Sequence, residues 1–419
     1  MIFTALHRAL GRPPGPLTDE LLDAAVAAGA QETDDLDWKR ELPPAKSAPQ
    51  SDFPKDVAAM ANSGGGVIVY GVEESEKAAT GRVDVGLFDE KHERSLRSAA
   101  ITAITPPVFG LDVVRLGGEG RRAVAVVVPA SVDGPHLIYK QDYFAAPVRN
   151  DADTVWMKER QIEAMYRARF DERRHAAEAI GRLFDEAAAG RDTGERAWFV
   201  AVGRPRIPRA GVERPSRFHA RTVFVEARQL GFELAPGSEV HPLYHVDVLN
   251  PRPGLRRWVA VNVATTEATR SAQAWASMHH DGSVTLAAAV GGRPLPRRNG
   301  SFEGRQVEST ALEAAVADFM ALVRVTGQAT GSSEYDVRVG LEWTGAGPLA
   351  LLTVSDLGHV YDDGALSVHR FTPVASTVNA GAAEGEFFRQ VHDLAQDCVH
   401  QGGIAQVQLI RPPLQEAGA

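Results

Sequence analysis

Two acids and a lysine near the start of the chain have the residue types and spacing of a catalytic group. Asp37 and Lys39 lie two residues apart in the alternating segment 36–39, so on a strand they share a face. Glu32 precedes them by a few residues. Carboxylates bind hard cations such as Mg²⁺ or Mn²⁺, and a nearby lysine can stabilise an attacking water or a phosphate. The pattern predicts a metal-dependent nuclease site, although acids beside a strand are often simply solvated.

A second pair of acids ends the apolar segment 67–72. Glu73 and Glu74 follow directly after it. An apolar run of this length predicts a strand buried on both faces, and acids at its end would emerge from the core into a cleft. We therefore expect Glu73 or Glu74 to complete the metal site.

The glycine run 64–66 separates a predicted helix at 52–62 from that strand. A phosphate-binding loop has the opposite order, strand then glycines then helix, so that the helix N-terminus faces the phosphate. No Gly-Lys-Ser or Gly-Lys-Thr follows. The run therefore favours a helix C-cap with a tight turn, and nucleotide binding is kept as an alternative.

The helices and strands predicted around these side chains indicate an α+β protein, and the chain is predicted to have four segments. Pro54 suits the first turn of the helix that precedes the glycines. A hairpin is predicted over 110–129, and helical segments over 158–169 and 176–189. The second half is predicted to form a mainly antiparallel sheet with helices at 310–325 and 386–399 and a final strand at 405–409. The predicted segments are a helical segment 1–30, a first domain 31–170, a helical linker 171–194 and a second α+β domain 195–419.

Composition limits the class of protein. The chain has 419 residues, a formal net charge of −9 and one cysteine, Cys398, which leaves no intrachain disulfide or multi-cysteine metal site. It has no run of about 18 apolar residues and no signal-peptide pattern at its start, so we expect a cytoplasmic location and no membrane partner. The negative net charge does not exclude a local basic patch that binds nucleic acid.

The acidic segment, the helix and the glycine-led strand together resemble the Schlafen AlbA_2 domain family. The matching stretches are Glu32-x4-Asp37-Trp38-Lys39, then DVAAMANSGGG at 56–66 and VIVYGVEE at 67–74. Downstream, ITPP at 104–107, VVPAS at 127–131 and PVR at 147–149 also fit. The resemblance covers roughly residues 15–170. The domain has also carried an older label as a divergent AAA-type ATP-binding unit.

The resemblance implies an Alba-like α+β fold and nucleic-acid binding. In some Schlafen proteins it implies a metal-dependent endoribonuclease that acts on transfer and ribosomal RNA through three carboxylates. Glu32 and Asp37 match the first two, and Glu74 or Glu73 matches the third; Asp37 stands where the family more often has glutamate. Only one lobe is recognisable, so an RNA groove would need a homodimer or the C-terminal domain.

Basic residues outside the acidic segment are candidates for phosphate contacts. Several lie in the stretch 204–221, which is predicted to be an Arg- and Pro-rich loop. With Lys39, the predicted nucleic-acid contacts are Arg149, Lys158, Arg204, Arg206, Arg209 and Arg217.

Three functions follow from these patterns. The first is a Schlafen-like nucleic-acid-binding protein whose partner is RNA rather than DNA and which cleaves structured RNA such as tRNA. Its catalytic residues would be Glu32, Asp37, Lys39 and Glu74, with a bound Mg²⁺ or Mn²⁺ ion. The second is a non-catalytic regulator that binds DNA or RNA, and the third is an ATP-binding protein. Convergence of Glu32, Asp37 and Glu74 would favour the first; their separation would favour the second.

Overall fold

The computed structural model of the protein describes residues 3–140, 143–207, 214–238, 240–295, 300–355, 359–361 and 366–410. It divides into two compact units, Met1–His175 and Ala176–Ala419. Each unit combines helices with β-sheet, and the sheets are mainly antiparallel. The α+β fold class predicted from the sequence is confirmed.

The first unit is built around a four-stranded sheet with helices on both faces. Its helices are α1 (Ala5–Ala9), α2 (Asp19–Ala27), α3 (Phe53–Asn62), α4 (Glu90–Thr102) and α5 (Glu159–Ala188), within which the division between the units falls. Its strands are β1 (Leu36–Lys39), β2 (Gly66–Tyr70), β3 (Val72–Ser75), β4 (Ala78–Arg82), β5 (Ile104–Thr105), β6 (Asp112–Leu116), β7 (Ala123–Val128), β8 (Leu137–Lys140), β9 (Tyr143–Ala145), β10 (Pro147–Asn150) and β11 (Asp153–Trp156).

The central sheet has the order β1-β2-β7-β6, with β1 at one edge. β1 runs parallel to β2, while β7 is antiparallel to both of its neighbours. Ile68 and Tyr70 of β2 face a core formed with α3 and α4, whereas Val67 and Val69 face a core formed with α1 and α2. β2 is apolar along its length because it is buried on both faces, as its sequence predicted.

Alternation along β1 places its apolar and charged residues on opposite faces. Leu36 and Trp38 pack in the core with α1 and α2, and the Trp38 indole N–H donates to the Ala30 carbonyl at 2.9 Å. Burying side chains of this size contributes roughly 1.5–3 kcal/mol each. Asp37 and Lys39 are thereby directed towards α3 on the other face.

The end of α3 fixes two later strands beside it. The Asn62 side-chain amide donates to the carbonyls of His136 at 3.0 Å and Pro147 at 2.8 Å, and its oxygen accepts from the His136 backbone N–H at 2.7 Å. These bonds place the segments that lead into β8 and β10 against the helix. Both segments matter to the site described below.

The second unit is a seven-stranded antiparallel sheet packed on helices. Its helices are α6 (Arg217–Leu234), α7 (Ser309–Thr330) and α8 (Glu384–His400). Its strands are β12 (Trp198–Pro205), β13 (Arg252–Gly254), β14 (Arg257–Ala260), β15 (Ala274–His279), β16 (Val284–Ala289), β17 (Gln306–Glu308), β18 (Glu334–Glu342), β19 (Leu349–Val354), β20 (Val360–Tyr361), β21 (Ser367–Val368) and β22 (Val374–Asn379). The large sheet has the order β13-β14-β15-β16-β12-β18-β22, and its main core lies against α6, α7 and α8.

Two local predictions differ from the structure. Residues 405–409, expected to form a final strand, adopt bends and irregular backbone. The stretch expected to be a basic loop contains the end of β12 and the start of α6, which Ser216 caps by accepting from the His219 backbone N–H at 3.1 Å. The helical character expected over 158–169 and 176–189 is confirmed, and both stretches belong to the single helix α5.

Within the described ranges, no helix is long and apolar enough to cross a membrane.

The glycine run after α3 forms a turn in which Gly64 and Gly65 differ in how closely other atoms pack against them. Gly64 and Gly65 both have positive φ, +97° and +90°. A Cβ on Gly64 would meet nothing within 4 Å, whereas a Cβ on Gly65 would lie 2.7 Å from the Ala130 nitrogen and 2.8 Å from the Val128 carbonyl oxygen. Gly65 therefore allows the turn to approach the backbone that follows β7.

We predict that Gly65→Ala destabilises the protein more than Gly64→Ala. Both substitutions carry the strain of a positive φ, on the order of 1–3 kcal/mol, but only Gly65→Ala adds a clash with rigid backbone. Urea unfolding of the two variants and the wild type measures the difference. Equal losses in unfolding free energy would contradict this account of the turn.

Candidate functional site

Charged side chains from β1 and α3 meet in the first unit. Asp37 and Lys39 point from the edge strand towards α3, and Asp56 points back from the first turn of that helix. Asp37 is 2% exposed and Asp56 is 5% exposed, while the Lys39 side chain keeps 36% of its surface open. A lysine reachable from solvent is thus held between two buried carboxylates.

These residues belong to a continuous series of alternating charges, which we call the ion-pair chain. Its members are Asp52, Lys55, Asp56, Lys39, Asp37 and Arg149, and the successive nitrogen-to-oxygen distances are 2.9, 3.9, 3.7, 2.7 and 3.2 Å. The alternation satisfies carboxylates whose burial would otherwise be strongly unfavourable. It also joins α3, β1 and β10 by charge.

Glu32 lies beside the ion-pair chain. One of its carboxylate oxygens accepts from the Trp38 backbone N–H at 2.9 Å, which fixes the side chain against β1. Asp37, Lys39 and Arg149 are all close enough to act electrostatically on the Glu32 carboxyl. The structure therefore brings together Glu32, Asp37 and Lys39, three of the four residues predicted to form a catalytic group.

Glu73 and Glu74 are placed differently from the prediction. Gly71, with φ +95°, turns the chain after β2, and the two acids belong to the separate hairpin of β3 and β4. Glu73 pairs with Arg40 at the surface, and Glu74 accepts from the Lys77 backbone N–H at 2.8 Å. Neither has a described contact with Asp37, so the third acid of the cluster is Asp56.

Arg149 is a buried partner of Asp37 and cannot reach a phosphate in this conformation, which corrects its predicted role. Its side chain is 3% exposed. One guanidinium nitrogen donates to Asp37 and Thr154, and another donates to the carbonyls of Thr33 and Ala152, at 3.0–3.3 Å. Arg149 therefore stabilises the site from within.

The other basic residues predicted to contact nucleic acid are dispersed. Lys158 is exposed directly before α5. In the second unit, Arg206 pairs with Glu334 at 3.0 Å, Arg204 is half-exposed at the end of β12, and Arg217 is exposed at the start of α6. Arg209 lies outside the described residues.

The carboxylates do not fit a divalent ion in this arrangement. The Lys39 ammonium occupies the position between Asp37 and Asp56 that a bridging cation would need, 2.7 and 3.7 Å from their oxygens. Across the part of the chain that the structure describes, no group of three or more His, Cys, Asp or Glu side chains could hold a metal ion.

A comparison with known families matches most of the first unit to one family. Residues 32–158 match the family described as "Schlafen, AlbA_2", and this span contains the whole ion-pair chain. Residues 32–158 form a Schlafen AlbA_2 domain. The family indicates a function related to nucleic acid.

Two solved structures are similar to parts of the chain. The DIP2311 protein from Corynebacterium diphtheriae is 17% identical, with a TM-score of 0.26 over 53% of this chain and 35% of its own, so the chain spans about a third of that protein. The N-terminal domain of a RecG-related protein from Nitrosomonas europaea is 19% identical, with a TM-score of 0.26 over 35% of this chain and 94% of that domain. No curated protein matches.

Asp52, Lys55 and Asp56 are the members of the ion-pair chain that sequence reasoning missed. Asp56 is followed by the apolar run Val57–Ala61, so the helix buries an acid on the side where its neighbours are apolar. A lone carboxylate in such a position was a usable signal, because buried acids are rare unless they are paired.

Burial sets the proton affinity of the cluster. It raises the pKa of Asp56 to about 6, an effect that Lys39 opposes and Asp37 reinforces. Burial likewise raises the pKa of Glu32, partly offset by the Trp38 hydrogen bond. For Lys39, burial acts against the charge, but Asp37 and Asp56 outweigh it and raise its pKa. Lys39 therefore stays charged at neutral pH, whereas the neighbouring Asp56 gains or loses its proton at about pH 6.

We predict that the stability difference between Asp56→Asn and the wild type depends on pH. Between about pH 4 and 6 the folded protein keeps a proton on Asp56 that the unfolded chain has lost. Rising pH therefore destabilises the wild type, whereas the Asp56→Asn variant lacks this effect because asparagine does not titrate. The unfolding free energy of the variant relative to wild type should rise by on the order of 2–3 kcal/mol over this window and be flat above pH 7.

Chemical denaturation at a series of pH values measures this difference. Asp52→Asn is the matched control, because Asp52 belongs to the same chain of charges but its side chain is 76% exposed. A difference for Asp56→Asn that is the same at pH 4.5 and pH 7.5 would contradict a raised pKa.

Proposed function

We propose that the AlbA_2 domain binds nucleic acid through its phosphate backbone, with Lys39 and Lys55 as phosphate contacts. The observation that carries the proposal is Lys39, which is held charged between two carboxylates and yet keeps about a third of its side chain open to solvent. The AlbA_2 match over the same residues supports nucleic acid as the partner.

The charge balance of the site determines how such binding should behave. The ion-pair chain contains three carboxylates and three cations, so a phosphate must compete with the carboxylates for Lys39 and Lys55. Protonation of Asp56 removes one competing charge, and it occurs near pH 6. Binding should therefore be sensitive to salt and should tighten as the pH falls below neutral.

We predict opposite effects of two charge-neutralising substitutions on RNA affinity at pH 7.5. Lys39→Gln should weaken binding and Asp56→Asn should tighten it, each by about fivefold, as expected for two unit charges about 4 Å apart in water. Lys39→Gln should also reduce the slope of log K against log salt by about one.

Fluorescence anisotropy with a labelled RNA at several salt concentrations measures both effects. Lys91→Gln is the control, because Lys91 is an exposed lysine at the start of α4 with no described contact to the ion-pair chain. If Lys39→Gln and Lys91→Gln behave alike, Lys39 is not the phosphate contact.

Phosphodiester cleavage of structured RNA such as tRNA is a second candidate function. The specific observation in its favour is that Glu32, Asp37 and Asp56 surround one charged lysine, and that Asp56 has a pKa of about 6. A carboxyl group that titrates near neutral pH is suited to general acid–base catalysis, and an adjacent lysine is suited to stabilising charge on a phosphate. The cleavage assay described next also measures whether the reaction requires Mg²⁺ or Mn²⁺.

For this second candidate we predict that Asp37→Asn abolishes cleavage of tRNA whereas Glu74→Gln leaves it unchanged. Asp37 lies within the cluster, and Glu74 is bound to the β3–β4 hairpin. Gel assays of wild type and both variants, with Mg²⁺, with Mn²⁺ and with a chelator, measure the outcome, and thermal unfolding checks the fold. Cleavage by wild type and Asp37→Asn at equal rates would leave binding as the function of the domain.

A further inference from the structure

Exposed aromatic side chains are concentrated on the hairpin of β8 and β9. Tyr139, Tyr143 and Phe144 are 58%, 60% and 55% exposed. Tyr139 and Phe144 are paired across the hairpin, with ring centroids 5.8 Å apart and planes inclined at 45°. Aromatic rings left this open offer flat apolar faces to a ligand, and such clusters commonly mark binding surfaces.

Both tyrosines line a cavity of about 620 Å³ in the AlbA_2 domain. Its other walls come from the segment before α3, from the first turn of that helix with Lys55, from the C-terminal end of α4 and from Ile138 of β8. This volume falls within the range of small-molecule sites. The cavity combines aromatic walls with an ammonium group.

Lys55 connects this cavity to the site already described. It lines the cavity, and its ammonium nitrogen lies 2.9 Å from Asp52 and 3.9 Å from Asp56. Asp56 in turn lies 3.7 Å from the Lys39 nitrogen. The aromatic walls and the two proposed phosphate contacts are therefore neighbours through shared residues.

The ligand that matches this arrangement has a flat apolar ring joined to an anionic backbone. We propose that Tyr139 and Tyr143, which the register places on opposite faces of the hairpin, each stack on an unpaired base, and that the domain selects single-stranded over fully paired nucleic acid. This inference rests on the proposed function, because Lys55 and Lys39 supply the phosphate contacts. In a duplex the faces of each base are covered by the neighbouring bases and cannot contact a tyrosine. In a single strand every base can expose a face to the tyrosine ring.

Stacking of this kind tolerates any base, because every base has a π-face. The tyrosines therefore select by strandedness and not by sequence. Lys55 and Lys39 act on the backbone, which is common to both forms. The two contributions can be separated by substitution.

The test compares binding of a 12-nucleotide single-stranded RNA with binding of the 12-base-pair duplex of the same sequence, using the full chain and fluorescence anisotropy. Tyr139→Ala and Tyr143→Ala should each weaken single-strand binding at least fivefold, the effect of losing a base stack, and change duplex binding less than twofold. Tyr139→Phe and Tyr143→Phe should stay within twofold of wild type, because phenylalanine keeps the ring.

Phe109→Ala is the matched control. Phe109 is 51% exposed in the same domain and does not line the cavity. Thermal unfolding of each variant separates a binding defect from a folding defect, and substitution at these exposed positions should leave the fold intact. Equal losses for Phe109→Ala and Tyr139→Ala would overturn a stacking role specific to the hairpin.

The outcomes distinguish this inference from the function on which it rests. Two results would overturn the stacking site and leave the proposed function standing. One is salt-sensitive binding that needs Lys39 but is unchanged in both tyrosine-to-alanine variants. The other is duplex binding as tight as single-strand binding. Absence of binding to either RNA overturns both. Self-association that Tyr139→Ala abolishes without a change in RNA affinity would assign the hairpin to a protein interface and overturn the inference.

Discussion

The AlbA_2 domain depends on the neutralisation of one buried carboxylate, Asp37. With 2% exposure, the Asp37 carboxylate is removed from water, and a buried charge without partners is strongly destabilising. Lys39 from the same strand and Arg149 from β10 supply opposite charges at 2.7 and 3.2 Å. Because Arg149 also bonds the carbonyls of Thr33 and Ala152, the pair ties the edge strand to the closing hairpin of the domain. The geometry of the site and the integrity of the fold thus rest on the same contacts.

Much of the fold and half of the site could be predicted because the relevant information is local. Alternation along 36–39 placed Asp37 and Lys39 on one face, and the apolar run of β2 predicted a strand covered on both sides; both are found. Asp56 was not predicted, although its place beside the apolar run Val57–Ala61 was a usable signal that the residue is buried. Its partners depend on how α3 packs against β1, which no local pattern encodes. Glu74 was expected in the cluster, but Gly71 ends β2 and the acid belongs to the hairpin of β3 and β4. There it accepts from the Lys77 backbone N–H and has no described contact with Asp37.

The second unit shows the same division between local and distant information. Its antiparallel sheet and its helices α7 and α8 follow from local pattern and were predicted. Helix α6 was missed, since the density of Arg and Pro before it suggested a loop. His241 is fully buried, and its ring nitrogen lies 2.8 Å from Asp318 of α7, a partner that sequence spacing could not identify.

The site couples proton binding to phosphate binding because both act on the same carboxylate. Asp56 already holds its proton more tightly than a solvated aspartate, with a pKa of about 6, because burial disfavours its charge. A phosphate placed at Lys39 or Lys55 adds a negative charge near Asp56, and it competes for the cations that stabilise the ionised form. Binding should therefore raise the pKa of Asp56 further, and by thermodynamic reciprocity a bound proton should favour the phosphate. The ion-pair chain, which is neutral when all six of its members are ionised, thus gains a net positive charge when nucleic acid arrives.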